Sequence, residues 1–322
     1  MKRSNLMALL PTLVLLCALT LASDGAVDGA KAALQTCAWV IIPCLFPFLT
    51  VSLLINRLGL PLWLGSKLQG PMSLLFGVSG TGAGVLILGL LGGYPAGAAI
   101  IADLLERGEL EREEAKKLLA FCNNSGPAFL IGAMGIGIFH SAAAGLLLYG
   151  VHILAAFITG LFLSGTEQPP IKKEDKVFIA SANLSAALPE AMTKAVPQIL
   201  QICGYVVFFG AICGCLREMG ILESLCGALA LYTPLTLQHA RGLCMGLLEL
   251  GCGIGAMAGS TLSPAALTLC SLITGFGGLS VCFQTAGVLQ QSGIGLRHHI
   301  LGRLCCGGIG AFIMYTIASI LL

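Results

Sequence analysis

Long apolar runs separated by short charged connectors set the pattern of this chain. Runs of about twenty apolar residues, the length a helix needs to cross a hydrocarbon core, lie near residues 6–22, 33–56, 111–139, 142–164, 194–216, 264–291 and 298–321. Two further apolar regions, 71–106 and 221–258, carry breaks near their centres. A membrane barrel would instead show alternating segments of about ten residues. The pattern predicts an all-α polytopic membrane protein. The connector DLLERGELEREEAKK (103–117) reads as a solvated face that opens the next helix with acids in its first turn, where the dipole favours them. The polar, proline-containing stretch GTEQPPIKKEDKV (165–177) reads as a linker that divides the chain in two.

The two halves resemble each other. KAALQTCAWVIIPCLFPF from Lys31 parallels KAVPQILQICGYVVFFGA from Lys194, with Gln35 and Gln198 each four residues after the lysine. GLLGGYPAGA from Gly89 lines up with GLLELGCGIGA from Gly246, and FCNNSGPAFLIGA from Phe121 with ITGFGGLSVCFQTA from Ile273. Three matches in one order predict a duplication. If regions 71–106 and 221–258 are re-entrant hairpins and the N-terminus is cytoplasmic, the positive charges segregate. Lys2, Arg3, Arg57, Lys67, Arg107, Arg112, Lys116, Lys117, Lys172, Lys173, Lys176, Arg297 and Arg303 fall inside, with Lys194 at the inner interface. Lys31, Arg217 and Arg241 fall outside, the asymmetry that cytoplasmic loops carry. The two copies then have opposite orientation, and inverted repeats with discontinuous helices mark secondary transporters with a site near the midplane. The expected organisation is an N-terminal signal-anchor helix (1–30), a first repeat with its connecting helix (31–164), the linker, and a second, inverted repeat (178–322). The basic start and apolar run of MKRSNLMALLPTLVLLCALTLASDGA, without an A-x-A site, predict that the first helix is retained.

Candidate chemistry sits at the breaks. Backbone that leaves a helix at membrane depth survives only where protein or a wet cavity satisfies its polar groups. Gly92-Gly93-Tyr94-Pro95 has the composition of such a break, with a proline that cannot donate and glycines that relieve strain. Its repeat mate holds Glu249, the only acid between Glu223 and the C-terminus. An intramembrane acid is costly and functional by default. Glu249 is expected to take a proton, coordinate sodium or accept hydrogen bonds from a solute. Asn123, Asn124 and Ser125 interrupt the run at 111–139 and offer donors and acceptors together. Their mate, TGFGGLS from Thr274 to Ser280, contains Gly278 and Ser280, with Gln284 beyond. His298 and His299 are placed at an inner membrane boundary.

Composition agrees and narrows the classes. The chain of 322 residues is 57% hydrophobic and 10% charged, against about 25% charged in soluble domains. A net charge of +2 rules out a strong nucleic-acid footprint. The 14 cysteines contain no CxxC and read as small buried hydrophobes. No HExxH, phosphate loop or dinucleotide fingerprint occurs, so no cofactor, metal or ATP use is expected beyond a coupling proton or sodium ion. Enzyme chemistry is not expected either, because Glu249 lacks an evident partner base or ligand set.

GYPAGA, CNNSGPAFLIGAMGIGIF and the Glu249 region together resemble the YlbJ-type sporulation integral membrane proteins, which carry a nucleoside-recognition or Gate domain and are distantly similar to concentrative nucleoside transporters. The resemblance covers roughly residues 30–320. It implies that two hairpin tips (Gly93, Tyr94 and Pro95, then Glu249) and two breaks (Asn123, Asn124 and Ser125, then Ser280) meet around a solute. It also implies dipicolinate as that solute, carried across the outer forespore membrane of an endospore-forming bacterium. The first tip reads Gly-Tyr-Pro where nucleoside transporters have Gln-Thr-Glu, and glycines replace a ribose-binding asparagine in the second break. The implied alternatives are a nucleoside or other small-solute carrier and a non-transporting scaffold for spore maturation. The expected partners are the solute, the bilayer and, as an allowed assembly, further copies of the chain.

Overall fold

The computed structural model describes residues 3–163 and 183–322, all of them helical or in short connections. The linker at 165–177 lies outside the described residues. The first half opens with α1 (Arg3–Leu21), followed by α2 (Ser23–Thr36) and α3 (Ile42–Arg57). A π-helical turn at Cys37–Ile41 joins the last two into one span of 35 residues. Pro43 accounts for the wide turn, since it lacks an N–H and crowds the carbonyl of Trp39, four residues back within it. This helix runs without interruption through residues 30 and 31.

α4 (Leu60–Phe76) ends at Gly77, whose positive φ of 57° starts an 85° bend into α5 (Thr81–Gly92). Side chains satisfy the backbone there: Ser79 N–H donates to Glu114 (2.6 Å), Gly80 N–H to Gln69 (2.7 Å), and Lys117 Nζ donates to the Gly77 carbonyl (3.2 Å). α5 turns at Gly93-Tyr94-Pro95 into α6 (Ala96–Glu106), closing a helical hairpin. α7 (Arg112–Phe121) breaks at Cys122–Pro127 and resumes as a π-helical segment, Ala128–Ile136, before α8 (Ala142–Leu163).

The second half repeats that order. α9 (Leu184–Glu218), again 35 residues, leads to α10 (Ile221–Tyr232) and the hairpin α11 (Leu237–Leu248)–α12 (Leu250–Ala256). The broken pair α13 (Pro264–Phe276) and α14 (Gly278–Leu289) follows, and α15 (Arg297–Leu321) closes the chain. Five helices among the described residues are long and apolar enough to span a membrane, six if the bent pair α4–α5 is one span. The multi-pass, all-α expectation is met. The hairpins are shorter than the apolar regions 71–106 and 221–258, because Gly77 and the stretch 233–236, with Pro234, cut α4 and α10 away from them.

α2–α3 and α9 lie antiparallel along their whole length. Gly25 faces Gly214, Gly29 faces Gly210, Cys37 Sγ donates to the Cys203 carbonyl (3.8 Å), and Arg57 pairs with Glu190 (2.8 Å). Small residues at four-residue spacing let the two backbones touch, which is how helices associate where lipid offers no hydrophobic drive. At one end of the pair the buried carboxylate of Asp103, on α6, collects Arg57 (2.9 Å), Arg107 (3.2 Å), Lys194 and the Asn56 amide (2.8 Å). This network ties the hairpin to α3 and α9.

Candidate functional site

Both hairpin tips and both breaks converge at the centre of the bundle. The Cys122 carbonyl at the first break enters the fork of the first hairpin, where only glycine fits: a Cβ on Gly89 or Gly97 would lie 1.9 Å or 2.2 Å from that oxygen. Gly93, with φ of 74°, brings the tip within contact of Gly126, and the Tyr94-Pro95 peptide is cis. In the second half, the extended Glu249 separates α11 from α12, and Gly278 (φ 81°) sits against the Gly246 carbonyl.

A cavity of about 80 Å³ occupies the convergence point. Of the sequence-predicted residues, Gly92, Gly93, Tyr94, Ser125, Glu249 and Gln284 line it. The rest of the wall is mainly apolar and includes Leu45, Phe48, Ile202 and Val206, with Thr36 from α2. Glu249 is 3% exposed and, among the described residues, the only carboxylate on the wall. It accepts the Cys252 N–H (2.6 Å), capping the short α12. Arg241, the nearest cation in sequence, is spoken for by Glu223 (2.7 Å).

Pro95, Asn123, Asn124, Gly278 and Ser280 do not line this cavity; they stand behind it. Asn123 donates to Thr285 Oγ1 (3.0 Å) and accepts from Ala98 N–H (3.3 Å), Asn124 donates to the Phe121 carbonyl (2.7 Å), and Ser280 Oγ accepts from Gln284 (3.0 Å). Ser125 N–H donates to His152 Nε2 (3.0 Å). These bonds hold the breaks open, the role that orphan backbone groups in a membrane demand.

Two residues differ from their sequence placement. Arg303, counted above with the cytoplasmic charges, is 0% exposed inside the bundle. His299, expected at an interface, is also buried and faces Thr285 Oγ1 (3.4 Å), while His298 stays exposed. Both buried residues lie on the inward stripe of α15. Arg303 Nη1 donates to Tyr94 Oη (2.9 Å) and Asn124 Oδ1 (3.1 Å), and Nη2 to the Ala120 carbonyl (3.0 Å). Tyr94 Oη in turn donates to the Thr274 carbonyl (3.0 Å), so one phenol joins the first tip to the second break. Tyr94→Phe strands the Thr274 carbonyl and one guanidinium donor. It is expected to lower stability by about 1–3 kcal/mol, read as a drop in melting temperature; an unchanged melt would remove the bridge from the account.

Larger cavities flank the central one along α9. One of 680 Å³ is lined by Asp103, Glu106, Arg112, Lys194, Gln198 and Gln201 among others. Another, of 460 Å³, lies at the opposite end of the helix between Asp24, Asp28, Arg217 and Glu218. Gln201 and Ile202, neighbours in α9, line the first and the central cavity, and Val206 is one turn from Gly210 in the second. Lys194 to Glu218 spans about 36 Å at the helical rise, more than the ~30 Å hydrocarbon core.

No family model matches the chain. It is 28% identical, over 312 residues, to the sporulation integral membrane protein YlbJ of Bacillus subtilis (strain 168), covering 89% of this chain and 76% of that protein. In sequence, and as a multi-pass helical membrane protein, the chain is similar to this sporulation integral membrane protein.

Proposed function

We propose that the protein is a carrier, not an enzyme, that moves a small anionic solute across a membrane of a sporulating cell by alternating access. The observation that carries this reading is the row of three cavities along α9, with the narrow middle one walled by both hairpin tips and by residues of both broken helices. The middle chamber, about 80 Å³, is far smaller than the roughly 300–1,000 Å³ of ordinary ligand pockets. A ring-sized solute enters it only when one half moves against the other. Antiparallel α2–α3 and α9 and the repeated element order supply the opposed halves that such rocking uses. The cationic side chains gathered at the Asp103 end, Arg57, Arg107, Arg112 and Lys194, orient that end toward the cytoplasm.

The solute we favour is dipicolinate, an aromatic dicarboxylate: the sporulation role in the relative's name supports it, and the mainly apolar chamber wall suits its ring. Two unit charges 4 Å apart repel by about 4 kcal/mol at an effective dielectric of 20. A carboxylate solute and an ionised Glu249 therefore do not share the chamber, and a proton on Glu249 removes the conflict. Glu249 is accordingly the coupling acid, with proton and anion travelling together. Purified protein in liposomes tests the reading. Labelled dipicolinate should enter faster than in empty vesicles, and faster still with an inward proton gradient. Nucleoside flux without dicarboxylate flux would shift the substrate class, and no flux of either would leave a scaffold role in spore maturation.

A further inference from the structure

Arg303 is the largest fully buried side chain among the described residues, and no ion pair among those residues includes it. Its Nε has no hydrogen-bond partner. A buried charge is ordinarily paired with an opposite one, since desolvation costs several kcal/mol per ion. What stands around this guanidinium is the ends of helices. α7 stops at Phe121, leaving the Ala120 carbonyl to Nη2 (3.0 Å). α13 stops at Phe276, leaving the Thr274 carbonyl to Tyr94 Oη (3.0 Å), which itself accepts from Nη1 (2.9 Å). The Asn124 Oδ1 from the first break completes the set at 3.1 Å. Each helix C-terminus carries roughly −0.5 of a charge. Two of them together balance one guanidinium.

Half-helix C-terminal ends and unwound carbonyls are also what carriers with discontinuous helices use to hold a coupling cation. We propose that Arg303 is a built-in counter-ion occupying the place between two half-helix C-termini where such a carrier holds sodium, so that this protein needs no sodium to assemble its site or to transport. The statement about transport rests on the carrier reading above; the occupancy of the place does not. The Tyr94 ring, with Arg303 5.8 Å from its centroid, adds a cation–π contact that fixes the guanidinium against the first tip. Gly302 seats this stretch of α15 on α7, where a Cβ would lie 1.9 Å from the Ala120 carbonyl. The charge is delivered by close packing of two helices.

Thermal melting of the full-length protein in detergent, in sodium, choline and guanidinium chloride at equal low ionic strength, tests the occupancy. The unmutated protein is expected to melt at one temperature in sodium and choline. Arg303→Ala should melt several degrees lower, and sodium or guanidinium, but not choline, should return part of that loss. A wild-type melt that rises with sodium overturns the proposal, as does an Arg303→Ala deficit that is equal in all three salts. If Arg303→Ala does not fold, Arg303→Lys, which keeps the charge and loses the fork, decides with the wild type; sodium stabilisation of either counts against it. Dipicolinate flux in liposomes separates the two readings. Equal flux in sodium and choline supports both, and flux that requires sodium overturns the counter-ion while leaving the carrier. Absence of flux with sodium-insensitive melting removes the carrier and keeps the counter-ion.

Discussion

Glu249→Gln is expected to cut proton-driven dipicolinate flux by about ten- to a hundredfold, the effect of 1.4–2.8 kcal/mol, with little change in melting temperature. The two halves of this expectation come from different atoms. The fold uses one carboxylate oxygen, which accepts the Cys252 N–H at 2.6 Å and caps α12; the amide oxygen of glutamine accepts the same bond. The proposed proton-coupled transport needs a group on the chamber wall that gains and loses a proton, which an amide cannot do. Among the described residues no ion pair includes this side chain, and Arg241 is engaged by Glu223, so the substitution leaves no buried partner charge among them. Flux at the wild-type rate would take Glu249 out of the mechanism, and a large melting loss would make it a structural residue instead.

How much of this site is legible from sequence depends on how local the signal is. The breaks at Gly92–Pro95, Cys122–Pro127, Glu249 and Gly277 are visible because glycine, proline or a polar side chain interrupts an apolar run, and the physics of backbone in lipid does the rest. The destinations of the polar side chains are not visible. Asn123 finds Thr285 across 162 residues and Arg303 finds Asn124 across 179, and no periodicity carries such pairings. The burial of Arg303 is hidden for a related reason: it follows Arg297 by less than two turns, so hydropathy reads it as a boundary charge, while its register on α15 points it inward. α2 fails differently. SDGAVDGAKAALQT is too polar to read as part of a span, and what holds it in the bundle is the glycine contact with α9.

That contact carries the largest expected loss of stability. A Cβ added at Gly214 would lie 1.9 Å from the Gly25 carbonyl oxygen and 2.7 Å from its carbon. Ordinary contact begins near 3.4 Å, so Gly214→Ala must push the helices apart by about 1.5 Å, the difference of the two distances. Every atom met is backbone, and no side chain can rotate away. Overpacking typically costs about 1–3 kcal/mol and occasionally more; with rigid backbone on both sides, Gly214→Ala belongs at the top of that range. Parting α2 from α9 also displaces Thr36 from Ile202 and Val206, three residues that wall the chamber, so flux should fall with the melting temperature. Gly204, on the same helix, has nothing within 4 Å of its would-be Cβ. Gly204→Ala adds the same atom with helix propensity as its main effect, a gain of about 0.5–1 kcal/mol. A lower melt for Gly214→Ala beside an unchanged or higher one for Gly204→Ala assigns the loss to the crossing; equal behaviour of the two variants would mean that the helices are not held at glycine contact.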